Sequence, residues 1–144
     1  MLVVEDDEVN RMVIERFLDA LGQHPVCVAD IQGALHALGE QAVDIALIDM
    51  NLPDGDGREM LARMRALAPH ADTPAVLMSA HIPAHQVDGL LAAGFGAFLS
   101  KPFSRARLGA VLAGLLFYFS REGRSTGEGV PGLQENWTGI PAIR

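Results

Sequence analysis

The sequence lacks the features that would place it outside a reducing compartment. It has one cysteine, Cys27, so an internal disulfide is excluded. No apolar run approaches the ~20 residues needed to span a bilayer, and the longest candidate, residues 111–119, is interrupted by Gly114. The amino terminus has no basic segment of the kind that begins a secretory signal. We therefore expect a cytoplasmic protein with no membrane contact, in which Cys27 is a small core residue.

Basic residues are also scarce. The chain has 11 Lys and Arg residues against 18 Asp and Glu residues, which gives a net charge of −7. Nucleic-acid-binding domains usually carry a basic patch or a basic helix face, so we expect no direct nucleic-acid binding. With 144 residues, of which 49% are hydrophobic, the composition suits one globular domain.

Five short apolar runs alternate with segments of helical period. Runs that are apolar throughout are typical of parallel strands buried on both faces. The alternation predicts a flavodoxin-like α/β fold, which is a doubly wound five-stranded parallel sheet of order 2-1-3-4-5 with five helices. The predicted strands are Leu2–Val4, Val26–Val28, Ile45–Ile48, Ala75–Met78 and Ala97–Ser100.

The helical segments have recognisable ends. Val9, Val13, Phe17 and Leu21 recur every fourth residue beside Ile14 and Leu18, and Gly22 follows them. Residues 52–57 are rich in Pro, Asp and Gly and predict a turn. Pro83 is predicted to begin a helix that reaches Ala93, and Ser104 to cap the last helix, whose inward residues are Leu108, Val111, Leu112, Leu115 and Leu116.

The periodic pattern stops near Phe119. Residues 121–144 contain five glycines and two prolines without helical or strand period. We therefore predict a domain over residues 1–120 and a linker or disordered tail over 121–144, which includes Trp137.

Polar residues stand at the downstream ends of four of the predicted strands. They are the cluster Glu5-Asp6-Asp7, and then Asp49, Ser79 and Lys101. Ligands of a doubly wound sheet bind beyond the carboxyl ends of its strands, and strands 1 and 3 are neighbours in the predicted order. Two carboxylates 4 Å apart repel by about 4 kcal/mol at an effective dielectric near 20. The cluster therefore suits a divalent metal and a phosphoryl group better than solvated loop charges.

These motifs resemble the receiver domains of two-component response regulators. The resemblance is carried by the stretch VVEDDE, by Asp49 in LIDMNLPDGDG, by Ser79 with Ala80 and by Lys101-Pro102, and it covers about residues 2–118. Ser79 lies 30 residues after Asp49, and Lys101 lies 22 residues after Ser79. The opening VVEDDEVNRM resembles the receivers of hybrid sensor kinases, so a hybrid kinase receiver and a freestanding regulator both remain open. The chain begins almost on strand 1, which suggests a segment of a longer protein.

The resemblance implies that Asp49 is the phosphoacceptor. Its partner would be a histidine kinase or a histidine phosphotransfer domain that carries a phosphohistidine, and a weak homodimer is left open. The cofactor would be Mg²⁺, with Asp6 and Asp49 as direct ligands, the backbone carbonyl of Asn51 as a third ligand, and Glu5 acting through a water. Asp7 is better interpreted as an early helix residue.

The remaining motif residues would respond to the phosphoryl group. Lys101 would pair with a phosphoryl oxygen, and the Lys101-Pro102 peptide would be cis. The Ser79 hydroxyl would move to the phosphoryl oxygen. Phe98 would act as an aromatic switch that reshapes the surface of helix 4, strand 5 and helix 5.

Simpler roles remain open for the same residues. Lys101 could form an ordinary salt bridge with Asp49, Ser79 could cap the next turn, and Phe98 could be a plain core residue. His81 and His85 are spaced for zinc, but Pro83 between them disfavours a continuous helix.

Two other functions compete with a phosphoacceptor receiver. The first is an Mg²⁺-dependent aspartyl-phosphate phosphatase of haloacid-dehalogenase type, in which a second Asp follows the nucleophile two residues later. Asn51 occupies that place here and cannot shuttle a proton. The second is a receiver-like interaction module that takes no phosphate. As an isolated domain we expect self-catalysed phosphotransfer and slow loss of phosphate rather than turnover. The sequence does not identify the partner kinase, the signal or the output.

Overall fold

The structure is a computed structural model that describes residues 1–122, with side-chain surroundings described through residue 115. Its central sheet has five strands: β1 (Leu2–Val4), β2 (Val26–Val28), β3 (Ala46–Asp49), β4 (Ala75–Ser79) and β5 (Ala97–Ser100). Five helices accompany them: α1 (Glu8–Ala20), α2 (Ile31–Glu40), α3 (Gly57–Arg65), α4 (Val87–Ala93) and α5 (Arg105–Glu122). The predicted α/β fold with five strands and five helices is confirmed.

All neighbouring strands in this sheet are parallel, in the order β2-β1-β3-β4-β5. Successive strand residues are buried on opposite faces, since Leu2 and Val4 lie in one core cluster and Val3 lies in the other. Burial on both faces explains why the strands are apolar without alternation. The register pairs Val4 with Ile48, so β1 and β3 end side by side.

Several predicted boundaries are wrong by a residue or more. Asp49 and Ser79 are the last residues of their strands rather than the first residues after them. The predicted turn at 52–57 is a two-stranded antiparallel hairpin, which we call the site hairpin (Asn51–Leu52 paired with Gly55–Asp56), and Gly57 already begins α3. Pro53 and Asp54 lie at the tip of this hairpin. The composition of residues 52–57 therefore predicted the reversal of chain direction correctly, but it did not predict that the flanking residues pair as strands.

The helix predicted to begin at Pro83 begins later. Pro83 is extended, with ψ 141, and a single 3-10 turn over Ala84–Gln86 precedes α4. At α5 the predicted cap is confirmed, because the Ser104 hydroxyl accepts a hydrogen bond from the Arg107 N–H at 3.1 Å. The predicted tail begins at residue 121, but α5 continues through Arg121 and Glu122. The side chain of Leu116 and residues 123–144 lie outside the described residues, and the division into a domain and a tail stays a prediction.

Helix α1 does not bury its whole apolar stripe. Ile14 and Leu18 are buried, but Val9 is 68% exposed and Val13 is 42% exposed. Met12 beside them is 49% exposed. The helical period of this segment was predicted correctly, but the face that contacts the sheet is narrower than the stripe. Among the described helices, none is both long enough and apolar enough to cross a bilayer.

Candidate functional site

The site lies at the carboxyl edge of the sheet, where β1, β3, β4 and β5 end. Glu5 and Asp6 directly follow β1, and Asp49 ends β3 next to them. Asp7 leaves the site and caps α1, because its Oδ1 accepts a hydrogen bond from the Asn10 N–H at 2.9 Å. One carboxylate oxygen from each of Glu5, Asp6 and Asp49 lies within 4.8 Å of the others. We call these three side chains the acidic cluster.

Lys101 is held between two members of the acidic cluster. Its Nζ donates to Glu5 Oε1 and to Asp49 Oδ1, both at 2.9 Å. The side chain of Glu5 is fully buried and that of Asp49 is 6% exposed, whereas that of Lys101 is 19% exposed. The salt bridge to Asp49, which was left open as the simpler role of Lys101, is therefore observed, and a second bridge to Glu5 accompanies it. The Lys101–Pro102 peptide that carries this side chain is cis, as the resemblance implies.

The charges of the site are unbalanced. The acidic cluster and Lys101 together hold three carboxylates and one ammonium, so the group carries a net charge of about −2 when all four are ionised. Burial raises the pKa of Glu5, Lys101 opposes that rise, and Asp49 adds to it. Burial alone would lower the pKa of Lys101, but its hydrogen bonds to Glu5 and Asp49 outweigh burial and raise that pKa. The site therefore strongly favours an additional positive charge.

The donor set of the acidic cluster fits Mg²⁺. Mg²⁺ prefers hard oxygen ligands and is usually held by one or two carboxylates together with waters. Asp6 is exposed and can face solvent, while Asp49 is buried at the strand end. The unbalanced negative charge and the oxygen ligands together match a hard divalent cation. Within residues 1–122 the acidic cluster is the one grouping of His, Cys, Asp and Glu side chains with this geometry.

Ser79 is close to the site but is engaged elsewhere. Its hydroxyl donates to the His81 carbonyl at 3.1 Å and accepts from the His81 N–H at 3.4 Å. The alternative role of turn cap is thus observed for the Ser79 side chain. His81 and His85 are both exposed, and neither joins a three-residue metal cluster in the described part of the chain.

Phe98 and Asn51 are on separate elements, the strand β5 and the site hairpin. Phe98 is on β5 and is 3% exposed, within the same core cluster as Ile82 and Leu90. Asn51 is exposed and pairs with Asp56 in the site hairpin, two residues after Asp49. Their roles as switch and as carbonyl ligand stay predictions.

Sequence reasoning missed Arg11. Its Nη1 donates to the Glu5 carbonyl at 2.8 Å and is 3.4 Å from the Asp6 carbonyl, so α1 fastens the loop that follows β1. The available signal was its spacing, because residue 11 lies one turn into a helix that begins beside the acidic cluster. A basic residue there faces back toward the helix amino terminus.

An apolar cleft of about 400 Å³ adjoins the site. It lies between α1 and the segment that follows β5, and Lys101 forms part of its lining. Its other lining residues are Asn10, Val13, Ile14, Phe17, Ala80, Pro102 and Phe103. The exposed face of α1 described above is continuous with this cleft through Val13.

Comparisons with known proteins converge on one family. The family model of the response regulator receiver domain matches residues 1–113. The sensory/regulatory protein RpfC of Xanthomonas campestris pv. campestris is 35% identical over 117 residues, which cover 80% of this chain and 16% of RpfC. The sensor histidine kinase RcsC of Salmonella typhi is 34% identical over 113 residues, which cover 78% of this chain and 12% of RcsC. The chain therefore spans only a small part of these two sensor proteins.

Other matching chains are covered by this chain over nearly their whole length. The two-component response regulator ORR41 of Oryza sativa subsp. japonica is 35% identical over 117 residues, covering 78% of this chain and 91% of ORR41. The receiver domain of sensor histidine kinase PA1611 from Pseudomonas aeruginosa PAO1 superposes with a TM-score of 0.73 at 34% identity, covering 81% of this chain and 95% of that one. That crystal structure has a magnesium ion coordinated in the active site cleft. CheY4 of Vibrio cholerae shares the fold, with a TM-score of 0.74 at 24% identity.

Proposed function

The chain belongs to the response regulator receiver domain family, and from this premise we propose that Asp49 takes a phosphoryl group from a phosphohistidine. The donor would be a histidine kinase or a histidine phosphotransfer domain. The observation that supports Asp49 most directly is its pairing with Lys101 inside the acidic cluster. The similarity to RpfC and RcsC supports a receiver of the hybrid sensor kinase type, with the cytoplasm as its compartment.

The proposed reaction is an in-line displacement at phosphorus. An oxygen of the Asp49 carboxylate attacks, the phosphorus–nitrogen bond of the donor breaks, and the electron pair returns to the imidazole nitrogen. The products are an aspartyl phosphate and a histidine free to take up a proton from solvent. A bound Mg²⁺, held by Asp6, Asp49 and the carbonyl of Asn51 with Glu5 acting through a water, would reduce the charge repulsion between carboxylate and phosphoryl group.

Two side chains would then change partners. The Lys101 ammonium is a flexible point charge, and it would leave Glu5 and Asp49 for a phosphoryl oxygen. The Ser79 hydroxyl would leave the His81 carbonyl and donate to another phosphoryl oxygen. Because His81 follows β4 and leads to α4, this exchange would reach the surface of α4, β5 and α5. Phe98, buried beneath that surface, is the residue that we propose repacks.

The apolar cleft beside the site supports docking of a protein donor. A phosphohistidine must reach Asp49 from solvent, so its carrier must cover the surface around Lys101. The cleft and the exposed residues Val9, Met12 and Val13 form an apolar surface at that place. Aggregation would be a liability for such a surface unless a partner covered it.

The phosphatase alternative is not favoured. The relatives named above are receivers and sensor proteins, and Asn51 lacks the acid–base function that the alternative needs. Turnover of p-nitrophenyl phosphate by the purified chain would restore it.

Labelling by a small phosphodonor tests the proposal. Acetyl phosphate with Mg²⁺ should add one phosphoryl group to the wild type, measured by intact mass, and EDTA should prevent it. Asp49→Asn should remain unlabelled. Asp44→Asn is a matched control. This substitution removes the same charge, but Asp44 is exposed and lies just before β3, at the opposite end of the strand from Asp49. Normal labelling of Asp49→Asn would contradict the proposal.

A further inference from the structure

The tip of the site hairpin is fastened to the amino terminus of α2. Asp54 lies at this tip, between Leu52 and Gly55. Its Oδ1 accepts a hydrogen bond from the Ile31 N–H at 2.9 Å, and its Oδ2 accepts one from the Gln32 N–H at 3.0 Å. These partners are 23 and 22 residues away in sequence. The contact therefore joins two elements that local structure alone would leave separate.

Helix α2 already has its own cap. The Asp30 Oδ1 accepts a hydrogen bond from the Gly33 N–H at 2.7 Å, which is the usual N-cap arrangement. The Asp54 carboxylate accepts from the N–H groups of Ile31 and Gln32, the two free amides before Gly33, so two carboxylates cap one helix end. The hydrogen bond from the Ile31 N–H chiefly holds the pKa of Asp54 below its usual value. Asp54 is thus an ionised second cap that comes from the site hairpin rather than from the helix.

The site hairpin is short, and both its tip and its base are held by close contacts. Its two residue pairs are Asn51 with Asp56 and Leu52 with Gly55. At the base, the Gly57 N–H donates to the Met50 carbonyl at 2.7 Å. At the tip, a Cβ on Gly55 would lie 2.7 Å from Ile31 Cδ1, so the backbone touches the first residue of α2.

The backbone of Asp49 is also in contact with Gly57, which directly follows the site hairpin. A Cβ on Gly57 would lie 2.8 Å from the Asp49 carbonyl oxygen and 3.2 Å from Met50 Cα. The Met50 N–H donates to the Met78 carbonyl at 2.9 Å, which ties the chain after Asp49 to β4. The position of Asn51 is therefore set from two directions, by the strand end before it and by the hairpin tip after it.

We propose that Asp54 is a positioning residue for the cation site, which fastens the site hairpin to α2 and thereby holds the backbone carbonyl of Asn51 toward the acidic cluster. Asp54 does not touch the cation or the phosphoryl group in this proposal. The inference rests on the proposed function, since it concerns the same cation. Residues that orient the ligands of a metal affect its affinity by about 10- to 100-fold.

The test is the affinity of the purified chain for Mg²⁺ alone, measured from amide chemical shifts in a titration. Asp54→Ala removes both hydrogen bonds to α2, and Asp54→Asn keeps one acceptor. Asp30→Ala is the matched control, because it removes a cap from the same helix end without touching the site hairpin. Urea unfolding without metal measures the stability lost by each variant.

We expect Asp54→Ala to weaken Mg²⁺ binding by about tenfold, Asp54→Asn to fall between it and the wild type, and Asp30→Ala to keep wild-type affinity. Both alanine variants should lose stability. Equal Mg²⁺ affinities for Asp54→Ala and Asp30→Ala would overturn the inference. If Asp54→Ala does not fold, Asp54→Asn against Asp30→Asn decides in the same way. Failure of the wild type itself to bind Mg²⁺ would overturn the proposed function together with the inference, and that result is distinct from equal affinities.

Discussion

The carboxylate of Glu5 should destabilise the metal-free protein, so a neutral replacement should stabilise it. Glu5 is fully buried, and its oxygen lies within 4.8 Å of an Asp49 oxygen. Two like charges at 4.8 Å repel by about 3.5 kcal/mol at an effective dielectric near 20. At the same dielectric, the attraction between Glu5 and the Lys101 ammonium at 2.9 Å is about 6 kcal/mol. Burial of an ionised carboxylate costs several kcal/mol more. The raised pKa of Glu5, caused first by burial, indicates that the unfavourable contributions are the larger.

We expect Glu5→Gln to raise the free energy of unfolding by about 1–2 kcal/mol in EDTA at neutral pH. The gain should shrink as the pH falls toward the raised pKa, because protonation then neutralises Glu5 itself. Saturating Mg²⁺ should stabilise the wild type more than the variant, because the cation offsets the charge that the variant has lost. Urea unfolding followed by circular dichroism measures both quantities.

The matched control is Glu40→Gln. Glu40 is 70% exposed and contacts His36 within α2, so its loss should change the stability by less than about 0.5 kcal/mol. A loss of stability for Glu5→Gln in EDTA would refute the reasoning. It would mean that the ion pair with Lys101 outweighs burial and the repulsion within the acidic cluster.

Three further predictions follow from the described contacts. Lys101→Ala should lower the free energy of unfolding in EDTA by about 2–3 kcal/mol, because two buried carboxylates lose their shared cation; an unchanged urea midpoint would contradict this. Gly57→Ala should cost about 2 kcal/mol because its Cβ would meet the Asp49 carbonyl, whereas Gly89→Ala, where a Cβ meets nothing within 4 Å, should stabilise. Burial, followed by Glu15, raises the pKa of Cys27 to about 11. The reaction of Cys27 with a disulfide reagent should therefore be slow at neutral pH and should accelerate as the pH rises to about 11. Any stability that the protonated thiol provides is lost as the pH rises toward that same value.

The sheet could be predicted from the sequence because each strand is a short apolar run and the same alternation of strand and helix repeats along the chain. Leu2–Val4 is apolar on both faces, and the alternation of such runs with helical segments is typical of a parallel sheet covered on both faces. The strand order then predicted that Glu5 and Asp49 adjoin, while the place of Lys101 beside Asp49 was implied by the resemblance to receiver domains. The structure confirms that these three side chains meet.

The features that the sequence did not reveal depend on tertiary placement. The contacts of Asp54 span more than 20 residues, so no local pattern encodes them. The exposure of Val9 and Val13 depends on how α1 lies against the sheet and α5, which the apolar period does not specify. The second bridge of Lys101 was missed because Glu5 was expected to act through a water, whereas its side chain is fully buried at the strand end.

The measurement that tests the central claim most directly is chemical mapping of the phosphorylated residue. The chain is labelled with acetyl phosphate and Mg²⁺, reduced with borohydride to convert an aspartyl phosphate to homoserine, digested, and sequenced by mass spectrometry. Our account predicts homoserine at position 49 in the wild type and in Asp44→Asn, and none in Asp49→Asn. Homoserine at position 6 or elsewhere, with Asp49 intact, would contradict the assignment of Asp49 as the phosphoacceptor.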